Sequence, residues 1–263
     1  MLPKPSRSRR VAGGALALGL GWALTLAGCA SAPPARQPIS PEAEAAHALL
    51  ERRRAERSDL RTLAEIQIRR GDKTQRFAGV LLLRAPSSLR FEALSPFGAP
   101  VLVVVGDAQT LTLWEVLDDR AYILPASPNA TRRWLGLSLG EDELVAILFG
   151  SVAPKKDAIS VQLLPPDETG PSLSLGDADG EQRIWFDPAT GQTRKVRWTG
   201  GAEPAEANFA VGTDDTPEGV TLRTADGQLD VVVRYRNPAV NSGFDAELFK
   251  LTIPERVKTR DLR

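Results

Sequence analysis

The chain has 263 residues, with 33 Lys+Arg against 33 Asp+Glu, one cysteine and one histidine. Balanced charge without a basic domain excludes a typical nucleic-acid binder. A lone cysteine excludes an intrachain disulfide framework and a Cys-ligated metal centre.

The cysteine sits in a telling place. Lys4, Arg7, Arg9 and Arg10 make a basic start, and residues 11–28 (VAGGALALGLGWALTLAG) are uncharged. A basic n-region, an apolar h-region and small residues before a cut make a secretory signal peptide. Leu26, Ala27 and Gly28 followed by Cys29 resemble the lipobox of bacterial lipoproteins, in which the thiol takes a diacylglycerol and becomes the mature N-terminus. The alternative is an uncleaved anchor, since the stretch is near the lower length limit for a membrane helix; its five glycines weaken that reading. Removing the leader takes four bases and leaves 29 Lys+Arg against 33 Asp+Glu, a formal charge of −4. Ala30 follows the cysteine. By the sorting rule of enteric bacteria, this favours the outer membrane over retention in the inner one.

Residues 1–28 are therefore read as leader, 29–39 as lipidated cysteine plus a Pro/Ala tether (SAPPARQP), and 40–263 as one domain. Pro-rich linkers are extended and semi-rigid. Ser40-Pro41-Glu42 opens a helix, with a Ser cap, Pro at the first position and an acid at the positive dipole end. It is expected to run to about Arg57, with Ala45, Ala46, Leu49 and Leu50 as its apolar stripe. Arg52, Arg53, Arg54 and Arg57 read as a solvated face, or as a patch for phosphates or an acidic partner.

From Leu60 the period changes to two. Ala64, Ile66 and Ile68 alternate with Glu65, Gln67 and Arg69, and short strands follow with turns about every 8–12 residues. Such a meander marks a sandwich or barrel. Residues 80–83 and 101–105 are apolar on both faces, which fits a sheet covered on both sides. Two helices interrupt the meander. Ser127-Pro128 caps one that ends near Gly136, and Ser138 to Glu141 reads as a capping box for a second that runs to Gly150. Strands resume from residue 159, residues 170–180 read as a loop, and the last strand is placed at 247–253, before Pro254.

Motifs for chemistry are weak. Residues 136–140 match G-x-S-x-G, but that elbow needs a preceding strand and a downstream histidine. A helix precedes it, and the one histidine, His47, lies upstream. His47 alone cannot build a metal site. Asp177-Ala178-Asp179-Gly180 has part of a calcium loop and is read as a polar turn. No phosphate loop or dinucleotide fingerprint is present, so no catalytic residue, cofactor or metal is assigned and an enzyme is not expected.

The lipobox, the N-terminal helix, RFEALSPFG (90–98), LGLSL (135–139), ELVAILFG (143–150) and FKLTIP (249–254) together resemble the LolA/LolB-like outer-membrane lipoprotein carriers, LolB most of all. The segment after 165 departs from the family pattern. The resemblance implies a mainly β (α+β) fold: a curved, half-open antiparallel β-barrel with lid helices over an apolar cavity. It also implies a lipid-anchored, periplasm-facing protein of the outer membrane. Such a protein shields acyl chains and inserts lipoproteins received from a LolA-like carrier. Its implied partners are outer-membrane lipid and acylated cargo, with the chain itself a monomer. Pro96, Phe97 and Gly98 match the family's membrane-contact loop. A turn at Pro96 and Gly98 would expose Phe97, whose alternative is a staple folded onto the core. Leu81, Leu83, Val101, Val103, Trp114 and Ile147 are the candidate cavity-lining residues. Two other readings stay open: an envelope lipoprotein that binds free lipid or glycolipid on the same fold, and a structural or interaction lipoprotein without a cavity.

Overall fold

Period-two alternation builds most of this molecule. The computed structural model describes residues 38–200 and 203–263. Leu26, Ala27, Gly28 and Cys29, the leader and most of the tether lie outside the described residues. The chain begins with helix α1 (Pro41–Ala55), where Ser40 accepts from the Ala43 N–H at 3.2 Å. Six strands follow: β1 (Asp59–Arg70), β2 (Lys73–Arg84), β3 (Ser88–Leu94), β4 (Pro100–Gly106), β5 (Thr110–Glu115) and β6 (Arg120–Pro125). Helices α2 (Pro128–Leu135) and α3 (Glu141–Leu148) come next. Seven more strands continue the sheet: β7 (Ser160–Asp167), β8 (Gly170–Gly176), β9 (Gly180–Phe186), β10 (Thr193–Gly200), β11 (Ala205–Val211), β12 (Pro217–Thr224) and β13 (Leu229–Val240). The last strand is β14 (Lys258–Asp261).

All fourteen strands form one sheet in the order β14-β6-β5-β4-β3-β2-β1-β13-β12-β11-β10-β9-β8-β7. Every pair is antiparallel except β14 on β6. The two edges, β7 and β14, do not pair, so the curved sheet stays unclosed.

Direct register places apolar residues of neighbouring strands side by side. Leu173, Ile184, Val196, Ala207, Leu222 and Val231 form one row across β8 to β13. On the other half, Leu60, Leu83 and Leu89 form a second row. These rows face α1 and α3: Ala43, Ala46 and Leu50 of α1 and Val145 and Ile147 of α3 share one core cluster with them. A fully buried Leu or Ile of this kind contributes about 1.5–3 kcal/mol.

The opposite face of β2 to β6 is also dry, as the doubly apolar strands suggested. Leu82, Val103, Val105 and Ala121 are buried there. Its cover is the C-terminal segment, a strap rather than a strand. In place of the expected strand at 247–253 the chain has a 3₁₀ turn (Ala246–Phe249) followed by irregular chain. The Arg90 guanidinium donates to the carbonyls of Leu248 (2.9 Å) and Lys250 (3.3 Å), which removes their need for a strand partner. The strap is pinned at its start by Asp59, whose carboxylate accepts from the N–H groups of Ser242 and Gly243. Beyond Pro254 the chain returns to pair as β14.

Three other expectations change. Residues 170–176 are strand β8, because Leu173 and Leu175 point inward while Ser172 and Ser174 bond across to Arg183 and Glu181. The Gly, Pro and Ser content had masked that alternation. Ser138 caps nothing: Gly140 is the N-cap of α3, and its N–H donates to Glu143 Oε2 at 2.8 Å. The helix stops at Ala55, short of Arg57, and the arginines around its end are only partly a solvated face. Arg57 is buried, donating to the Phe149 carbonyl (2.5 Å) and the Asp215 carbonyl (3.0 Å), and Arg53 ion-pairs with Asp215. Burial lowers the Arg57 pKa to about 10, the Arg53 charge adding to the effect, so Arg57 remains cationic at neutral pH.

Candidate functional site

Strand direction decides which loops share an end of the sheet. The β3–β4 and β5–β6 turns lie at one end, together with the β1–β2 hairpin tip. Ser95 closes the β3–β4 turn. Its N–H donates to the Ala99 carbonyl (2.8 Å), its carbonyl accepts from Gly98 (2.9 Å), and its Oγ accepts from Ala99 (3.2 Å). Gly98 has φ +82°, a conformation that favours glycine. The closed turn leaves Phe97 97% exposed, with Pro96 and Gly98 exposed beside it. Leu117, on the neighbouring β5–β6 turn, is 80% exposed. It was not a sequence candidate, because VLDD carries neither the Pro nor the Gly that marks a protruding turn.

Behind this end, α2 and α3 lie over the concave face. Ser127 caps α2, and Gly136, at φ +79°, ends it. The short link is fixed from within: buried Thr131 Oγ1 donates to the Leu139 carbonyl (2.5 Å) and accepts from the Leu139 N–H (3.3 Å). Glu141 opens α3 and is 5% exposed, and neither carboxylate oxygen has a hydrogen-bond partner. Burial, with the Asp107 and Asp142 charges adding, pushes this carboxyl up to about 7.

The concave space is largely filled by side chains. Leu81, Leu83 and Ile147 are buried in the main core cluster. Register puts Val103 opposite Glu92 and Trp114, on the face away from Leu81 and Leu83, so the six candidate lining residues divide between the two faces. Val101 is half-buried, follows the irregularity at Ala93/Leu94 and touches the edge of the core. Two clefts flank the lid. One, of about 240 Å³, is lined by Leu137, Leu139, Trp198 and Leu222 with Glu143 and Lys155. The other, of about 360 Å³, lies near Arg54, Arg57, Pro86 and Phe149. Ligand pockets usually span about 300–1,000 Å³; the larger cleft sits at the low end of that range and the smaller falls below it.

The remaining motifs resolve as local structure. Ser138 is exposed on the α2–α3 link, and His47 is half-buried on α1. Asp177 accepts from the N–H groups of Asp179 (2.8 Å) and Gly180 (3.1 Å) and pairs with Lys155 (2.5 Å), which makes GDADG a hairpin turn. Among the described residues no cluster of three His, Cys, Asp or Glu side chains could hold a metal ion. No described helix is long and apolar enough to cross a membrane.

No family model and no curated protein matches the chain. Solved structures match it in fold. One is described as an outer membrane lipoprotein-sorting protein domain from Vibrio parahaemolyticus, with TM-score 0.56 and 14% identity, over 79% of this chain and 97% of that one. A LolA superfamily protein from Nitrosomonas europaea matches with TM-score 0.52 and 11% identity, over 78% and 97%. A DUF1329 family protein from Desulfovibrio piger matches with TM-score 0.54 and 10% identity, over 79% and 97%. The architecture is therefore the LolA-like half-open barrel, as the sequence resemblance implied.

Proposed function

We propose that this chain is a non-enzymatic lipoprotein of the cell envelope, anchored through Cys29 to the periplasmic face of the outer membrane. It binds acylated lipoproteins and helps insert them into the bilayer. A periplasmic LolA-like carrier supplies the cargo. The observation that carries this reading is Phe97: a large apolar side chain, 97% exposed on a closed turn of a LolA-like barrel. Burying a Phe yields about 1.5–3 kcal/mol, enough for a brief touch on a membrane. Lasting attachment needs lipid chains, at about 0.8 kcal/mol per buried CH₂.

The packed interior fits a carrier in its closed form. Cargo acyl chains would enter where α2 and α3 lift from the concave face. Replacing Phe97 with Glu should leave thermal unfolding unchanged and reduce lipoprotein insertion into vesicles or envelopes. Normal insertion by that variant would refute the tip role.

The same filled interior favours a second reading, a structural or interaction lipoprotein that never opens. Native mass spectrometry of the mature chain carrying Cys29→Ala, mixed with a diacylated lipopeptide, separates the two. A bound lipopeptide supports the carrier; no binding at any excess supports the closed protein. A co-purifying free lipid would instead point to a lipid or glycolipid binder.

A further inference from the structure

We propose that Leu117 is a second membrane-contacting residue, which makes the rim a two-point contact with the lipid bilayer. The proposal rests on the Phe97 reading above and extends it to a residue that the loop resemblance does not cover.

Four observations carry it. First, Leu117 and Phe97 are the two most exposed large apolar side chains among the described residues, at 80% and 97%. Second, both occupy turns at the same end of adjacent strands. The β3–β4 turn leads into β4, which pairs with β5, and β5 in turn pairs with β6. Third, the strand ends behind the two turns are joined: the Val116 N–H donates to the carbonyl of Val101, in β4, at 3.1 Å, which extends the β4–β5 pairing up to the turns. Fourth, the Leu117 turn is locally fixed. Asp119 has φ +47°, its N–H donates to the Val116 carbonyl at 3.4 Å, its carboxylate pairs with Arg256 at 3.3 Å, and its carbonyl accepts from the Lys258 N–H at 2.8 Å. Leu117 therefore projects from a braced loop.

The occupant is a bilayer rather than a protein. Two separate projecting tips offer no groove, and two side chains fall far short of the roughly 1,200 Å² that a stable protein interface buries. A bilayer accepts isolated apolar groups without shape complementarity. The stretch from Cys29 to the start of α1 would reach roughly 35 Å when extended at about 3.1 Å per residue, so a lipidated Cys29 keeps the domain close to such a surface. Asp118 is the charge beside the tip, with Asp119 already paired to Arg256.

Cys29 is the only cysteine, so the mature chain with Cys29→Ala accepts a single engineered thiol. Phe97→Cys, Leu117→Cys and, at the opposite end, Ala189→Cys would each be labelled with an environment-sensitive fluorophore. Each is then mixed with phosphatidylethanolamine/phosphatidylglycerol 3:1 vesicles, and separately with phosphatidylcholine vesicles. Blue-shifted, brightened emission at positions 97 and 117 but not at 189 is the expected result. In co-sedimentation, unlabelled Leu117→Ser should lower vesicle partitioning about tenfold, and the Leu117→Ser/Phe97→Ser double variant should lose more than either single change. Insertion at 97 with a water-like signal at 117 overturns the Leu117 role and leaves the carrier reading standing. Water-like signals at both positions overturn both. A concentration-dependent shift at 117 without vesicles also overturns the proposal and indicates a protein partner or a second copy.

Discussion

At Gly106 a missing Cβ makes room for a carboxyl group. A Cβ there would collide with the Glu141 carboxylate, which is buried without a hydrogen-bond partner and raised to about 7. The native state therefore holds a proton that the unfolded chain, with a carboxyl near 4.5, releases. Stability from this group is fully present below about 4.5 and is lost as pH rises through about 7. The loss is roughly 3 kcal/mol at most. Glu141→Gln should raise the urea midpoint at pH 8 and change it little at pH 4.5. An equal gain at both values would mean that the carboxyl does not titrate there. Phe97 and Leu117 show the opposite case at this scale, apolar groups that cost the fold nothing because nothing packs on them. Phe97→Glu should accordingly shift the melting temperature by less than about 2 °C, as surface changes usually stay within about 0.5 kcal/mol.

At the scale of elements, the lid and the strap are each held by a few polar contacts. Thr131 both donates to and accepts from the Leu139 backbone inside the α2–α3 link. Thr131→Val keeps the shape and leaves those backbone groups unpaired, at a cost of about 1–3 kcal/mol. Amide exchange over residues 136–145 should speed up before global unfolding does. If α2 and α3 open for cargo, the same variant should bind a diacylated lipopeptide at least as well as the parent. The strap depends on Arg90, whose guanidinium also pairs with Glu92 at 2.5 Å. Arg90→Ala should free residues 246–254 and expose the face that holds Leu82 and Val103. Protease cleavage confined to that segment, with the barrel intact, is the expected outcome.

Over the whole molecule, one open sheet is dry on its helix-covered face and, across β2 to β6, on the other as well, and different segments supply the two covers. Local alternation made the strands of the first half legible: Ala64, Ile66 and Ile68 face the way their spacing implied. Caps were legible for the same reason, since Ser40, Ser127 and Gly136 act on groups within four residues. Strand β8 is hard to read because Gly, Pro and Ser dilute its alternation, and its inward leucines gain meaning only in the core cluster, where Leu173 lies opposite Ile184 of the paired strand β9. FKLTIP alternates well enough by itself to read as a strand, but Arg90, some 158 residues before Leu248, takes the Leu248 and Lys250 carbonyls instead. Arg57 looked like part of a solvated run until the Phe149 and Asp215 carbonyls closed on it.

The sequence by itself carried the caps at Ser40, Ser127 and Gly136, the period-two strands of the first half and the Pro-x-Gly turn around residue 97, while the leader stays an expectation. These depend on residues within a few positions of one another, where backbone preference and spacing suffice. Tertiary structure alone decided which face each apolar residue covers, that Leu81, Leu83 and Ile147 pack into the core, that Glu141 is stranded over Gly106, and that Phe97 and Leu117 are both exposed at one end of the sheet. Burial and exposure depend on which distant segments come to lie on a residue, and that information is spread along the whole chain.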